Sequence, residues 1–167
     1  VVLVSPDGER TMQTSLAASA SLASDDIKLA YSDIISSKAI YVEGYLYSSP
    51  VTESAASLAM HIAKDGNTKV ALTLSDPGIV ANFKNSLKNA VENYTDILFC
   101  NEHEAEIYTE LKSRTDRLDA LGNHVELVFM TCGADGAMIY DHGAIHSLPG
   151  YAVEVVDTTG AGDIFAA

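Results

Sequence analysis

The sequence predicts an α/β fold with a doubly wound, mainly parallel sheet and helices on both of its faces. Strand-like and helix-like segments alternate from about residue 39 to residue 131. Three of the strands (VALTL, DILF and ELVFM) are apolar on both sides, which is typical of parallel strands covered by helices. Right-handed crossovers are the default connection in such sheets. At 167 residues the chain fits a single domain, 1–167, with a sizeable core.

The N-terminal third supplies a hairpin, a helix and the first sheet strand. VVLVSPDGERTMQTSL predicts two strands around the turn Pro6-Asp7-Gly8. SDDIKLAYSDIISS has an acidic start and apolar residues at helical spacing. KAIYVEGY is a β-branched and aromatic strand that ends at Gly44, and the helix VTESAASLAMHIAKDG then starts near Thr52 or Ser54 and stops at Gly66.

The remaining two thirds repeat the alternation and end in a hairpin, a strand and a helix. A hairpin is predicted across Asp141-His142-Gly143, followed by the strand VEVVD and a helix after Gly160. In chain order, the other predicted elements are the strand KVALTLS, the helix GIVANFKNSLKNAVEN, the strand TDILFC, the helices EHEAEIYTEL and RTDRLDALGN, and the strand VELVFMT.

Composition excludes several classes of function. Ten basic and 23 acidic side chains give a net charge of −13, which argues against a nucleic-acid partner. A phosphorylated ligand would need backbone donors, a metal ion or a few local cations. Cys100 and Cys132 lie in neither a metal-ligand nor a disulfide-scaffold spacing, and no apolar run approaches the roughly 20 residues that cross a membrane. We expect a cytoplasmic protein that does not contact a membrane.

Polar residues and glycines collect where the predicted strands end. Ligands of open α/β sheets bind at the carboxyl ends of the strands, so these positions predict a ligand-binding edge. Glu43 and Tyr45 are candidates to face this cleft, although packing explains Tyr45 equally well. The strand-end segments are Glu43-Gly44, Ser75-Asp76-Pro77-Gly78, Cys100-Asn101-Glu102, Thr131-Cys132-Gly133 and Asp157-Thr158-Thr159-Gly160.

The run DTTGAGD before the last helix indicates phosphoryl chemistry. First-turn amides of a helix lack internal partners and favour an anion, and glycines let that anion come close. A carboxylate there, Asp163, is useful as a general base for an attacking hydroxyl. The alternative is a plain loop and a favourable first-turn charge. Neither GxGxxG nor GxxxxGK[ST] occurs, so the common dinucleotide and Walker sites are not supported.

Three motifs in order resemble those of the ribokinase-like, or PfkB, family of carbohydrate and nucleoside kinases. DTTGAGD matches the C-terminal signature of that family, and Asn101-Glu102-His103-Glu104 matches its N-x-x-E element. Thr131 to Ala137 resembles its T-x-G-x-x-G segment. The resemblance implies the ribokinase-like fold with a small β hairpin or lid element, near which residues 1–16 would lie.

The resemblance also implies roles for individual residues. Asp163 would be the catalytic base, and the amides of 160–162 would form the anion hole. Simpler interpretations exist for two of the positions below: a helix cap for Asn101 and a solvated charge for Glu104. The complete set is Asp163, Gly160, Ala161 and Gly162 for catalysis, Thr131, Gly133 and Gly136 for ATP, Asn101 and Glu104 for Mg²⁺ through waters, and Asp157 for a monovalent cation such as K⁺.

The function implied is transfer of the γ-phosphoryl group of ATP to a primary hydroxyl of a nucleoside or sugar. Adenosine is the first candidate substrate, because PDGERTMQTSLAAS and YVEGYL resemble adenosine kinase-like members. A ribokinase- or fructokinase-type sugar kinase and a non-catalytic nucleotide or metabolite sensor are the alternatives. Lids of this family often take part in dimers, so a homodimer is a further expectation. The Gly-Gly substrate signature is absent, and we expect a fragment that lacks N-terminal and extreme C-terminal parts.

Overall fold

Two short antiparallel strands begin the chain. The computed structural model describes residues 2–4, 10–12, 17–154 and 158–167. Strands β1 (Val2–Val4) and β2 (Arg10–Met12) pair with Leu3 opposite Thr11. They form the hairpin that the sequence predicts. Its predicted turn lies outside the described residues.

The next predicted helix is split in two by Ala30. Helix α1 (Ser24–Leu29) and helix α2 (Tyr31–Ser36) meet there, and Ala30 leaves the helical region with φ −85° and ψ 7°. Both helices are only six residues long. Apolar periodicity continues across the break, which is why the sequence predicts one helix.

Six strands form one sheet within the described residues. The first four run parallel in chain order, and the last two extend the sheet as an antiparallel hairpin across the predicted turn, where His142 and Gly143 have positive φ. The strands are β3 (Ala39–Glu43), β4 (Lys69–Thr73), β5 (Ile97–Asn101), β6 (Leu127–Thr131), β7 (Ala137–Asp141) and β8 (Ala144–Leu148).

Five helices follow in sequence between and after these strands. They are α3 (Pro50–Asp65), α4 (Pro77–Tyr94), α5 (Glu102–Thr109), α6 (Arg114–Gly122) and α7 (Ala161–Ala166). Side-chain caps start four of them, and the caps of α3 and α4, Ser49 and Asp76, each precede a proline that suits the first helical position. Helix α3 therefore starts earlier than Thr52 or Ser54, the predicted start.

The connecting helices cover one face of the central strands β4, β5 and β6. Alternate residues of β4, β5 and β6 (Val70, Leu72, Leu98, Val128 and Met130) have no exposed surface and pack with buried residues of α3 to α6. Consecutive parallel strands joined by crossovers of one hand place their helices on the same face. The opposite face carries a row of partly exposed aromatic rings and helix α7.

The C-terminal part departs from the prediction in one place. Residues 151–154 have no regular secondary structure, so the predicted strand VEVVD is absent over Val153 and Glu154, and its remaining residues lie outside the described ranges. Among the described residues, no helix is both long and apolar enough to span a membrane.

Candidate functional site

A cleft of about 550 Å³ lies at the carboxyl edge of the sheet. The ends of β3 to β6 form its floor, and the start of α7 forms one wall. This is the edge that the strand-end residues predict. The lining residues are Tyr41, Glu43, Tyr45, Thr73, Ser75, Asp76, Pro77, Phe99, Cys100, Asn101, Glu104, Thr131 and residues 158–163.

The start of α7 presents backbone amides and one carboxylate to this cleft. Gly160 is the N-cap with φ 78° and ψ 4°, a left-handed conformation that favours glycine. The N–H of Ala161 donates to the Thr158 carbonyl at 3.1 Å, whereas the first-turn amides of Gly162 and Asp163 have no acceptor inside the helix. Asp163 itself is exposed and lines the cleft. An anion and a hydroxyl donor can therefore meet at this turn.

Asn101 and Glu104 form a capping box at the start of α5 that also lines the cleft. Asn101 Oδ1 accepts from the Glu104 N–H at 2.8 Å, and Glu104 accepts from the N–H and Nδ2 of Asn101 at 2.9 and 2.7 Å. Glu104 is 4% exposed, and this burial raises the pKa of its carboxyl to about 7. The cap predicted as an alternative for Asn101 is thus present, but Glu104 is not a solvated charge.

Carboxylates dominate the cleft. Glu43, Asp76, Glu104 and Asp163 line it, and none of the described lining residues is a lysine, arginine or histidine. Polyphosphate would be repelled by this charge unless a cation accompanied it. Amide and carboxylate oxygens are the ligands that Mg²⁺ accepts, usually with several waters retained. The described residues contain no cluster of three or more His, Cys, Asp or Glu side chains fit to bind a metal directly.

The ends of β3 and β4 build one side of the cleft. Ser75 Oγ donates to Glu43 Oε2 at 3.0 Å. Gly44 allows the two strand ends to approach, because a Cβ there would lie 2.7 Å from the Leu74 carbonyl oxygen. Burial raises the pKa of the Tyr41 and Tyr45 hydroxyls, so both remain neutral hydrogen-bonding groups. Glu43 and Tyr45 thus line the cleft, as their strand-end position predicts.

The three residues assigned to ATP separate in the structure. Thr131 lines the cleft, whereas Gly133 and Gly136 lie in the following loop and are not among the lining residues. Gly136 has φ 99°, and a Cβ there would lie 2.1 Å from the Leu148 carbonyl oxygen, so close backbone packing requires a glycine. Asp157, assigned to a monovalent cation, lies outside the described residues.

Sequence reasoning missed the aromatic side of the cleft. The ring centroids of Tyr41 and Phe99 are 6.1 Å apart, Phe99 stacks on Phe129 at 5.1 Å, and Phe129 meets Phe165 of α7 at 6.4 Å. This row connects β3 to the helix that carries Asp163. The alternation of side chains along a strand could have predicted part of this row. Tyr41 lies two residues before Glu43 in β3, so both side chains point to the same face of the sheet.

Comparisons with known proteins agree with this geometry. The chain is 32% identical to a ribokinase from Haemophilus influenzae over 118 residues, which are 67% of this chain and 36% of that protein. It is 30% identical to an adenosine kinase from Schizosaccharomyces pombe in an alignment that covers 99% of this chain and 53% of that protein. The crystal structure of an adenosine kinase from Sinorhizobium meliloti superposes with a TM-score of 0.91 at 31% identity, covering 99% of this chain and 50% of that one.

These alignments place the chain within longer proteins. It spans between about a third and a half of the length of the curated relatives that it matches. The model of the pfkB family carbohydrate kinases matches residues 1–167, the whole chain. With the ribokinase-like fold and the ordered motifs on the cleft, this match shows that the chain belongs to the pfkB family of carbohydrate kinases.

Proposed function

We propose that the intact protein transfers the γ-phosphoryl group of ATP to a primary hydroxyl of a small nucleoside or sugar. One observation carries the proposal. A single cleft holds the start of α7, with Asp163, together with the Asn101–Glu104 corner of α5. A proton acceptor, helix amides and oxygen ligands for a divalent cation thus share one space, which is what phosphoryl transfer to an alcohol requires.

Asp163 is the general base in this proposal. Its exposed carboxylate accepts the proton of the substrate hydroxyl as the oxygen attacks the phosphorus atom. The amides of the same helical turn stabilise the negative charge that develops on the transferred group. Gly160, through its left-handed conformation, sets the direction in which these amides point.

Asn101 and Glu104 hold Mg²⁺ through waters. The ion would supply charge neutralisation for the phosphates in a cleft whose own side chains are acidic. Each oxygen of the capping box already accepts one hydrogen bond, and a carboxylate or amide oxygen has a second lone pair for a water. The box also fixes both side chains before the ligand arrives. Dependence on K⁺ is a separate proposal that rests on the family resemblance of Asp157.

Adenosine is the first substrate to test. The similarity to an adenosine kinase extends over 99% of the chain, whereas the similarity to a ribokinase covers 67% of it. Tyr41 and Tyr45 line the cleft, and the two residues are 44% and 39% exposed. Their rings therefore offer apolar faces to a flat base. Ribose and fructose are the sugar alternatives.

The experiment is a substrate panel with the intact protein. ATP consumption is measured with adenosine, ribose and fructose in Mg²⁺, for the wild type, for Asp163→Asn and for the control Asp119→Asn, an exposed aspartate of α6. We expect turnover with one of these substrates, a loss of about 10²- to 10⁴-fold in Asp163→Asn, and no loss in the control. Ligand-induced thermal stabilisation without turnover would instead identify a sensor.

A further inference from the structure

Arg114 links the first turn of α5 to the loop after β6, although it does not line the cleft itself. It is the first residue of α6. Its Nε and Nη2 both lie 2.7 Å from Glu102 Oε2, and Nη2 also lies 2.9 Å from Asp135 Oδ2. One guanidinium thus contacts two carboxylates of different segments. Arginine suits this position because its planar fork carries several donors in fixed directions.

The two partners of Arg114 belong to segments that the family resemblance assigns to different ligands, Mg²⁺ for the start of α5 and ATP for the loop after β6. Glu102 directly follows Asn101, which with Glu104 forms the proposed Mg²⁺ site, here called the metal corner. Asp135 lies in the loop after β6, which starts beyond Thr131. Asn101 and Thr131 are opposite each other in the register of β5 and β6, and both line the cleft. Arg114 therefore bridges the start of α5 and the loop after β6, just beyond the ends of β5 and β6.

Arg114 is not needed to join α5 to α6, because Arg117 already does so. Arg117 is 5% exposed, and its Nε donates to the Leu111 carbonyl at 2.7 Å. Its Nη1 donates to the Glu102 carbonyl at 3.1 Å, and Nη2 pairs with Glu106 at 2.8 Å. What Arg114 adds is a contact to the loop after β6.

Among the side-chain hydrogen bonds and ion pairs of the described residues, the pair between Arg114 and Asp135 is the one that joins the loop of residues 132–136 to α5 or α6. The loop contains two residues with positive φ, Gly133 and Gly136, and it is closed by a hydrogen bond from the Cys132 N–H to the Gly136 carbonyl at 2.8 Å. This bond is internal to the loop, so it sets the shape of the loop and not its distance from α5. The ion pair between Arg114 and Asp135 acts on that distance.

We propose that Arg114 is a positioning residue that holds the loop after β6 against the metal corner and so supports binding of Mg·ATP rather than of the phosphoryl acceptor. The inference rests on the proposed function. It predicts that the affinity for Mg·ATP depends on both Arg114 and Asp135. Binding of the acceptor on the side of Glu43 and Ser75 does not depend on either residue.

The test measures KM for Mg·ATP and KM for the acceptor separately in the intact protein. For Arg114→Ala and for Asp135→Asn we expect the KM for Mg·ATP to rise by roughly fivefold, the scale of a lost exposed ion pair, with the acceptor KM unchanged. Arg114→Lys keeps the charge without the fork and should lie between wild type and Arg114→Ala. The double variant Arg114→Ala/Asp135→Asn should be no worse than Arg114→Ala alone, since both changes remove the same contact.

Lys84→Ala is the matched control. The Lys84 ammonium pairs with Glu110 at 2.6 Å and so joins α4 to the end of α5, away from the cleft. The Lys84 side chain is 31% exposed, which is similar to the 35% of Arg114. The inference is wrong if Arg114→Ala raises the KM for Mg·ATP no more than Lys84→Ala does, or if it raises both KM values equally. Either result leaves the proposed function intact.

Failure of the proposed function has a different signature. In that case the wild type turns over no substrate and binds no Mg·ATP in calorimetry, and the inference falls with it. Circular dichroism and thermal melting check each variant for folding. If Arg114→Ala does not fold, Asp135→Asn decides alone, because its side chain is 69% exposed and its loss should leave the fold intact.

Discussion

A buried carboxylate lies at each end of the parallel strands: Asp96 at their amino ends, here called the amino edge, and Glu104 at their carboxyl ends, the carboxyl edge. The pKa values of the two carboxyl groups shift in opposite directions. At the amino edge, Asp96 is 7% exposed and accepts from the Val70 N–H at 2.8 Å and from Lys64 Nζ at 2.9 Å, with Lys69 Nζ at 3.5 Å. Burial opposes its ionisation, but these hydrogen bonds outweigh burial and hold the pKa of Asp96 below its ordinary value. The charge is therefore compensated by the protein itself.

At the carboxyl edge, Glu104 is buried to a similar degree without a cation. Its hydrogen bonds come from Asn101, a neutral residue, and burial raises its pKa to about 7. A carboxylate that its own protein leaves uncompensated, beside a cleft, indicates a site for an external cation. The two carboxylates are buried alike and differ in the source of the compensating charge, which is the protein's own lysines for Asp96 and, in the proposed function, Mg²⁺ for Glu104.

Removing Asp96 should cause the largest effect. Asp96→Ala leaves the buried Val70 N–H without its acceptor and the partly exposed Lys64 without its partner, and we expect it to lower the free energy of unfolding by about 2 to 3 kcal/mol. Urea unfolding measures this. Asp65→Ala, an exposed aspartate 73% accessible, is the control and should change stability by less than about 0.5 kcal/mol. A small loss in Asp96→Ala would contradict the structural role of the amino edge.

Removing the charge of Glu104 should affect the ligand more than the fold. Glutamine also completes a capping box, so Glu104→Gln keeps the start of α5. We expect the affinity for Mg²⁺, in the presence of ATP, to fall by about 10-fold or more, while the melting temperature stays near that of the wild type.

Titration of Mg²⁺ against turnover or calorimetric binding measures that affinity. Glu53→Gln, which changes a first-turn glutamate of α3, is the control. A loss of folding stability without a change in Mg²⁺ affinity would assign Glu104 to the cap alone.

The two edges should also respond to pH with opposite signs. The pKa of Asp96 is lowered in the fold, so its stabilisation is present above the ordinary pKa of 3.8 and is lost as the pH falls through the lower folded value. The pKa of Glu104 is raised from 4.5 to about 7, so the folded state binds the extra proton and stability falls as the pH rises between these values.

Unfolding free energies measured from pH 2 to pH 8 in EDTA test both signs. Asp96→Asn should flatten the acid limb, and Glu104→Gln should flatten the slope between pH 4.5 and about 7. An unchanged slope in either variant would show that another group carries that limb.

Sequence alone predicted much of the carboxyl edge and almost nothing of the amino edge. Strand ends and the DTTGAGD run are local signals, so they located Asn101, Glu104 and the turn at Asp163, whose roles stay predictions. Lys64 and Asp96 are 32 residues apart, and no local pattern shows that they meet. The split at Ala30 and the close packing of Gly136 against Leu148 were likewise missed, because tertiary packing and not periodicity decides them.

The smallest effect should come from the exposed outer pair of the amino edge. Lys69 Nζ lies 2.8 Å from Glu126 Oε2, and both side chains are nearly half exposed, so water and salt screen the pair. We expect Glu126→Gln to lower the free energy of unfolding by at most about 1 kcal/mol in low salt, and by less in 1 M NaCl. Urea unfolding at the two salt concentrations measures this. A loss as large as that of Asp96→Ala, and unaffected by salt, would contradict this expectation. Glu126 would then belong, with Lys69 and Asp96, to one charge network that stabilises the amino edge.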